Sequence, residues 1–220
     1  LDSKSTLVVF DLDNTLTKPR KMIGSDPWFC YMVQKKQNEG YSWTDAVNLV
    51  LPLFRHIHEH LSFLPTEPRV SQVVQELFDT KIPVIILTTR GQEQKNLVLR
   101  TLTDAGISTS FSQLGSQEIS AFFDVLSLYS NGIIFVGNND KGTVLFHMLD
   151  QVNYKPTKII FVDDKYSHLA SVERKCVERK IPFIGIRYSR CDADVAAFDP
   201  VKAEEELKEF LGQEACPNFA

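Results

Sequence analysis

Short runs of apolar residues recur along the chain, each of strand length and each followed by a stretch with helical spacing. Leu7 to Phe10 runs into Asp11, Val84 to Leu87 into Thr88, and Ile159 to Val162 into Asp163; Phe183 to Ile186 forms a further run. Runs this short, rich in β-branched residues and without polar alternation, predict strands buried on both faces of a parallel sheet. Segments near 68–79, 92–105, 141–151 and 166–179 carry apolar residues at helical spacing. The alternation predicts an α/β fold, a central and mostly parallel sheet with helices on both faces.

Two regions depart from that alternation. About 70 residues separate the first strand from the second, far more than one crossover helix requires. Within them Asp26-Pro27 reads as an N-cap followed by proline at the first helical position, and Gly40 as a helix stop. Ser42 to Asp45 opens a second helix with a capping-box variant, and Pro52 is expected to kink it. Pro65 and Pro68 bracket the return. Residues 20–64 are therefore expected to form a small helical insertion beside the strand ends, with 1–19 and 65–220 as the main domain. The second departure is Leu128 to Val136, where Asn131-Gly132 between two apolar runs predicts a hairpin. An acidic helix near 202–211, ended by Gly212, is expected to pack on the sheet edge.

Composition narrows the class. The 220 residues are 43% hydrophobic and 24% charged, enough to bury the core of one domain with an insertion. The net charge of −4 gives no electrostatic footprint for nucleic acid. The pairs Lys35-Lys36 and Arg174-Lys175 read as solvated helix faces. No apolar stretch reaches the roughly 18 residues of a membrane-spanning helix. The chain begins at Leu1 rather than Met, which leaves room for a leader removed upstream. Cysteines 30, 176, 191 and 216 form no CxxC pair and read as free, mostly buried thiols of a reducing compartment. None of them begins a Cys-x5-Arg loop, which excludes a thiol-based phosphatase of that kind.

The chemistry gathers at the strand ends. Asp11 and Asp13 follow the first strand, Thr88 and Thr89 the second, and Asp163-Asp164 a later one. In open α/β sheets the carboxyl edge is where ligands bind. Two carboxylates two residues apart in extended chain fall on one side, and they coexist cheaply only with a cation or a shared proton. Magnesium takes oxygen ligands of this kind, and a phosphate can complete its shell.

This set resembles the haloacid dehalogenase (HAD) superfamily over residues 6–187. Asp11, Asp13 and Thr15 match its Asp-x-Asp-x-Thr motif, Thr88 its second motif, and Asp163-Asp164 its acidic fourth. Lys141, in Asn138-Asn139-Asp140-Lys141-Gly142, is the loosest match, to the third. The resemblance implies a HAD-like (Rossmann-like) three-layer sandwich with a small helical cap insertion. It also implies a magnesium-dependent phosphohydrolase. Asp11 would attack phosphorus to form an aspartyl-phosphate, and Asp13 would protonate the leaving oxygen and then activate water. Mg2+ would be held by the Asp11 and Asp163 side chains and the Asp13 carbonyl. Asp164 would stand behind them or serve as an alternative ligand, with Thr15 behind the ligands as well. Thr88, joined by Thr89 and the backbone donors of the turn, would bind a phosphate oxygen, and Lys141 would offset charge. Dehalogenases of the superfamily lack the acid/base aspartate at the position of Asp13, which points to phosphoryl transfer.

Other residues keep two readings. Arg90 fits a phosphate or substrate contact or a structural ion pair; Asn138 and Asn139 fit pocket lining or helix capping. His56 and His60 stand at the i,i+4 spacing of a zinc pair without an evident third ligand, and read mainly as a polar face. Trp28, Phe29, Tyr31, Tyr41 and Trp43 read as the core of the insertion, or as a surface for an aryl leaving group. The expected substrate is a phosphoprotein carrying phosphotyrosine, or another aryl phosphate. The alternatives are a small-metabolite phosphatase and a catalytically silent HAD-like binding module. The layout also resembles bacterial HAD proteins secreted into host cells, so the expected location is the cytoplasm or the interior of a host cell. Nothing in the sequence sets an oligomeric state.

Overall fold

Residues Thr6–Phe10 are buried along their whole length, as are Val84–Thr88, because strands at the centre of a covered sheet face apolar layers on both sides. The computed structural model describes residues 6–108 and 114–213. In chain order the first elements are β1 (Thr6–Phe10), β2 (Thr17–Pro19), α1 (Asp26–Asn38), α2 (Trp43–His60) and β3 (Phe63–Pro65). Then come α3 (Val70–Asp79), β4 (Val84–Thr88), α4 (Lys95–Asp104), β5 (Glu118–Phe122), β6 (Leu126–Ser130) and β7 (Ile133–Phe135). The last are α5 (Lys141–Gln151), β8 (Lys158–Asp163), α6 (Tyr166–Arg179), β9 (Phe183–Arg187), α7 (Asp192–Ala196) and α8 (Pro200–Gln213).

The chain divides into two compact units. The first comprises residues up to Thr17 and Pro65–Cys191, the second Lys18–Leu64 and the segment from Asp192 onward.

The first unit holds a seven-stranded sheet in the order β5-β6-β7-β4-β1-β8-β9. β1 pairs in parallel with β4 on one side and β8 on the other, Val8 standing opposite both Val84 and Ile160. β4 and β7, and β8 and β9, are also parallel; only β5–β6 and β6–β7 run antiparallel. Successive side chains of β1 alternate between faces. Leu7 and Val9 pack with Val144, Met148 and Val172 of α5 and α6, and Val8 and Phe10 with Val70, Val74, Val98 and Leu102 of α3 and α4. The result is the expected three-layer α/β sandwich.

Asn131 and Gly132 turn β6 into β7 with φ of 49° and 79°, the positive pair that a two-residue hairpin requires. β5 adds an antiparallel strand that the sequence reading did not include. β9 lies at the sheet edge, and its Ile184 and Ile186 are exposed, whereas the apolar run had predicted full burial.

In the second unit Trp28, Ile57, Leu61 and Phe63 form a core with Ala203 and Phe210 of α8. The Glu206 carboxylate accepts from the amides of Met22 and Ile23 at 2.7 and 3.1 Å, and Tyr31 donates to Glu204 at 2.7 Å. The acidic helix thus packs on the insertion rather than on the sheet edge, and the compact division differs from the expected one from Asp192 onward. Its apolar positions have partners in α1 and α2, and its carboxylates satisfy donors of that unit. α1 is capped by Ser25, whose hydroxyl accepts from the Trp28 amide, one residue before the predicted Asp26. α2 continues through Pro52 as one helix.

Candidate active site

β1 ends at the point where the strand order reverses, so the residues after Phe10 enter a crevice between neighbouring strand ends. The Asp11 amide donates to the Val162 carbonyl at 2.9 Å, which continues the β1–β8 ladder one residue past the strand. A tight turn follows. The amides of Leu16 and Thr17 both donate to the Leu12 carbonyl at 2.9 Å, and Asn14 adopts φ of 60°, a left-handed conformation that asparagine tolerates better than most residues. The Asn14 amide side chain reaches Asp164 Oδ2 at 3.4 Å, and so links the first acidic segment to the last.

Lys141 is the centre of the arrangement. Its Nζ donates to Asp11 Oδ1 at 2.6 Å and to Asp163 Oδ2 at 2.8 Å, with side-chain exposures of 1% for the lysine, 6% for Asp11 and 0% for Asp163. Thr15 Oγ1 meets the other Asp11 oxygen at 3.3 Å. Burial pushes the Asp11 carboxyl up to about 8, against the pull of Lys141 and with Asp163 and Asp13 adding to the rise. Burial acts the same way on Asp163, but His168 and Lys141 outweigh it and hold that carboxyl below its usual range. Burial would lower Lys141; the two carboxylates keep it above its usual value. With both carboxylates ionised, one ammonium would leave the site net negative, and that cost is part of what drives the Asp11 carboxyl up; a further cation would offset it and hold Asp11 ionised.

α5 fixes the lysine. Asp140 caps the helix, accepting from the Thr143 amide at 2.8 Å, and also takes the Ser171 hydroxyl at 2.7 Å and Arg174 at 2.9 Å. Partial burial alone would raise the Asp140 carboxyl, yet these donors bring it down to about 2. The Gly142 amide donates to Ser171 Oγ at 2.8 Å, so α5 and α6 touch where the lysine begins its helix. A Cβ on Gly142 would meet the Ser171 carbonyl oxygen at 2.3 Å. Gly142→Ala is expected to force the helices apart and to lower stability by about 1–3 kcal/mol, read as a lower thermal midpoint; an unchanged midpoint would show that the contact yields freely.

Asp13 has a different partner. Arg90 grips it with two bonds, Nε to Oδ2 at 2.9 Å and a terminal nitrogen to Oδ1 at 2.7 Å. Of the two readings of Arg90, the ion pair is the one in place; for Asp13 to exchange a proton with a ligand, this fork has to open. Thr88 is buried and its hydroxyl accepts from the Arg90 amide at 3.1 Å, while Thr89 is exposed. Asn139 caps no helix, since the cap of α5 is Asp140. It clamps the β5–β6 hairpin, donating to the Val125 and Val136 carbonyls and accepting from the amides of Asp124 and Val125. Asn138 is exposed.

Thr15 also lines a cavity of about 300 Å³, together with Phe10, Glu67, Arg69, Val70 and Tyr188. Burial and a bond to Glu67 push the Tyr188 hydroxyl up to about 12.

His168 was absent from the sequence reading. Its Nδ1 lies 3.0 and 3.1 Å from the two Asp163 oxygens, and ligand atoms of Asp11, Asp163 and His168 lie within 4.8 Å of one another. The signal was available only in hindsight, as a histidine in the first turn of the helix after the acidic pair. Two carboxylates and an imidazole suit a divalent cation; the two carboxylates are the part of the set that fits the magnesium the motifs imply. In the second unit Glu59 joins His56 and His60 in a cluster of the same dimensions, mostly exposed, and so supplies the third group the sequence left missing. His58 is buried and bonds the Gly24 carbonyl at 2.6 Å. Trp28 is wholly buried, while Tyr41 and Trp43 are 46% and 62% exposed. Cys176 and Cys191 are buried and Cys30 is exposed; Cys216 lies outside the described residues. Among those residues no helix is long and apolar enough to cross a membrane.

A family described as "Protein of unknown function (DUF2608)" matches residues 2–215. A Chlamydia pneumoniae protein provisionally named for the outer membrane is 24% identical over 187 residues, covering 85% of this chain and 70% of its own. A haloacid dehalogenase-like family hydrolase from Streptococcus pneumoniae superposes with a TM-score of 0.51 at 17% identity, covering 96% of this chain and 100% of its own. A Bacteroides fragilis protein provisionally named a haloacid dehalogenase-like hydrolase gives 0.52 at 11% identity, covering 92% and 93%. At these identities the likeness establishes the fold, which is HAD-like.

Proposed function

The chain belongs to the DUF2608 family of unknown function, and we propose that it is a magnesium-dependent phosphomonoester hydrolase acting through an aspartyl-phosphate on Asp11. One observation carries the reading: Asp11 and Asp163, both buried at the carboxyl edge of the sheet, share the Lys141 ammonium at 2.6 and 2.8 Å. Burying two carboxylates and one lysine together is costly to desolvate and is weak evidence of a purely stabilising role. A site that receives an anionic phosphoryl group needs both a carboxylate nucleophile and positive charge to offset it.

In this reading an Asp11 oxygen forms a bond to phosphorus as the ester oxygen leaves with its bonding pair. Asp13, released from Arg90, donates its proton to that oxygen. Asp13 then takes a proton from water, whose oxygen attacks phosphorus and frees Asp11 and inorganic phosphate. Thr88 and the amides of its turn hold a phosphoryl oxygen, and Lys141 stabilises the charge on Asp11. Magnesium, held by Asp11, Asp163 and the Asp13 carbonyl, supplies positive charge that lets an anionic nucleophile meet an anionic ester.

The leading substrates are phosphotyrosine and other aryl phosphates. With Trp28 committed to the core of the second unit, that choice rests on the exposed Tyr41 and Trp43 of the insertion, proposed to serve as a cap governing access. The cavity beside Thr15, about 300 Å³, favours the second reading, a small-metabolite phosphatase, since it is at the lower end of small-ligand sites. The deciding experiment compares kcat/KM for phosphotyrosine peptides, phosphoserine peptides, sugar phosphates and nucleotides in the presence of magnesium. A preference of about tenfold or more for phosphotyrosine supports the aryl reading. The reverse preference removes it, and no release from any substrate favours the binding module. The proposed location remains the cytoplasm or a host cell. The names of the chlamydial relatives offer the outer membrane instead, and fractionation of the native cells decides between them.

A further inference from the structure

The ligand set expected for a magnesium site is all oxygen, and the structure adds a nitrogen to it. His168 is the third residue of α6, and helical side chains lean back toward the N-terminus. Its ring therefore returns over the turn that joins β8 to α6. Nδ1 comes to rest 3.0 Å from Asp163 Oδ1 and 3.1 Å from Oδ2. The side chain is 22% exposed and Asp163 not at all.

We propose that His168 is a direct ligand of the bound cation, and that the site consequently favours divalent first-row transition ions, Mn2+ among them, over Mg2+. The inference rests on the metal-dependent reading above and specifies its metal. Two adjacent ligands of an octahedral ion, each roughly 2.1 Å from it, stand about 3.0 Å apart. That is the spacing found between Nδ1 and Asp163. Ligand atoms of Asp11, Asp163 and His168 also fall within 4.8 Å of one another, as three ligands of one ion must.

Asp163 is already well supplied with donors that orient it. The Lys165 amide meets Oδ1 at 2.8 Å and Lys141 meets Oδ2 at 2.8 Å. A histidine added only for orientation would be redundant. Without a cation, Nδ1–H donates to the Asp163 carboxylate; as a ligand Nδ1 presents its lone pair, and the proton it carried passes through solvent to Nε2. Magnesium binds oxygen and gains little from a nitrogen. First-row transition ions gain more, with Mn2+ at the weak end of their order and Fe2+, Co2+ and Ni2+ above it.

The test uses the full chain stripped of metal, titrated calorimetrically with Mn2+ and with Mg2+ alone, and pulsed electron paramagnetic resonance of the Mn2+ form. The expected result is Mn2+ binding at least about tenfold tighter than Mg2+ binding, with nitrogen coupling to the manganese. His168→Gln should lose the coupling and weaken Mn2+ by about 10–100-fold, with little change for Mg2+. His168→Asp, an oxygen donor of similar reach, guards against a folding defect and should bind Mg2+ at least as well as wild type. Mn2+ bound without nitrogen coupling, or coupling that persists in His168→Gln, overturns the inference and leaves the metal-dependent reading intact. If wild type binds neither ion and Asp163→Asn behaves identically, the metal-dependent reading itself fails.

Discussion

Lys141→Met is expected to destabilise the protein by about 3–5 kcal/mol when divalent cations are absent, because it leaves two buried carboxylates without their shared ammonium. Methionine keeps much of the lysine's volume, so the loss is electrostatic rather than a cavity effect. In a chain of this size the change should lower the thermal midpoint by on the order of 10 °C. The same variant should recover part of the loss on addition of Mg2+ or Mn2+, since a cation at Asp11 and Asp163 replaces some of the missing charge. Thermal unfolding with chelator and with each ion measures both effects. A midpoint equal to wild type under chelation would show that the Lys141 pairings, 2.6 and 2.8 Å in length, contribute nothing net to the fold.

Asp11→Asn should act in the opposite sense. The amide oxygen can still accept from Lys141, and the lysine keeps Asp163 as counter-charge, so one cation faces one anion. Burial, which pushes Asp11 up to about 8, no longer opposes folding. Stability is therefore expected to stay within about 1 kcal/mol of wild type or to rise. Phosphate release should nevertheless fall by about 10⁴-fold or more, the scale seen when a covalent nucleophile is removed. A stable variant with ordinary turnover would move the nucleophile elsewhere; a variant that unfolds would show that the carboxylate serves the fold.

The parts of this protein legible in the sequence are those set by local pattern. Strands β1, β4 and β8 could be read because each is a continuous apolar run. Asp11, Thr88 and Asp163 could be read because each interrupts such a run at its carboxyl end. The β6–β7 turn could be read because Asn-Gly carries its own backbone preference.

What escaped depends on residues distant in the chain. Whether Arg90 would bind a ligand or Asp13 was open until the turn after β4 was placed beside the turn after β1. Asn139 stands just before Lys141, where a cap or a pocket residue is expected, yet its partners are Asp124, Val125, Ser127 and Val136. His168 carries no local signal, since a histidine in the first turn of a helix is common. The place of α8 is set by partners far away in the chain, since Glu204 and Glu206 are acceptors for Tyr31 and for the Met22 and Ile23 amides.

The central claim is that Asp11 becomes phosphorylated. The direct measurement is peptide mass spectrometry after acid quenching of the protein mixed with magnesium and p-nitrophenyl phosphate. The account predicts a phosphoryl adduct on the peptide that contains Asp11, present in wild type and absent in Asp11→Asn. Release of phosphate with no adduct at Asp11, or with the adduct on another residue, would contradict it.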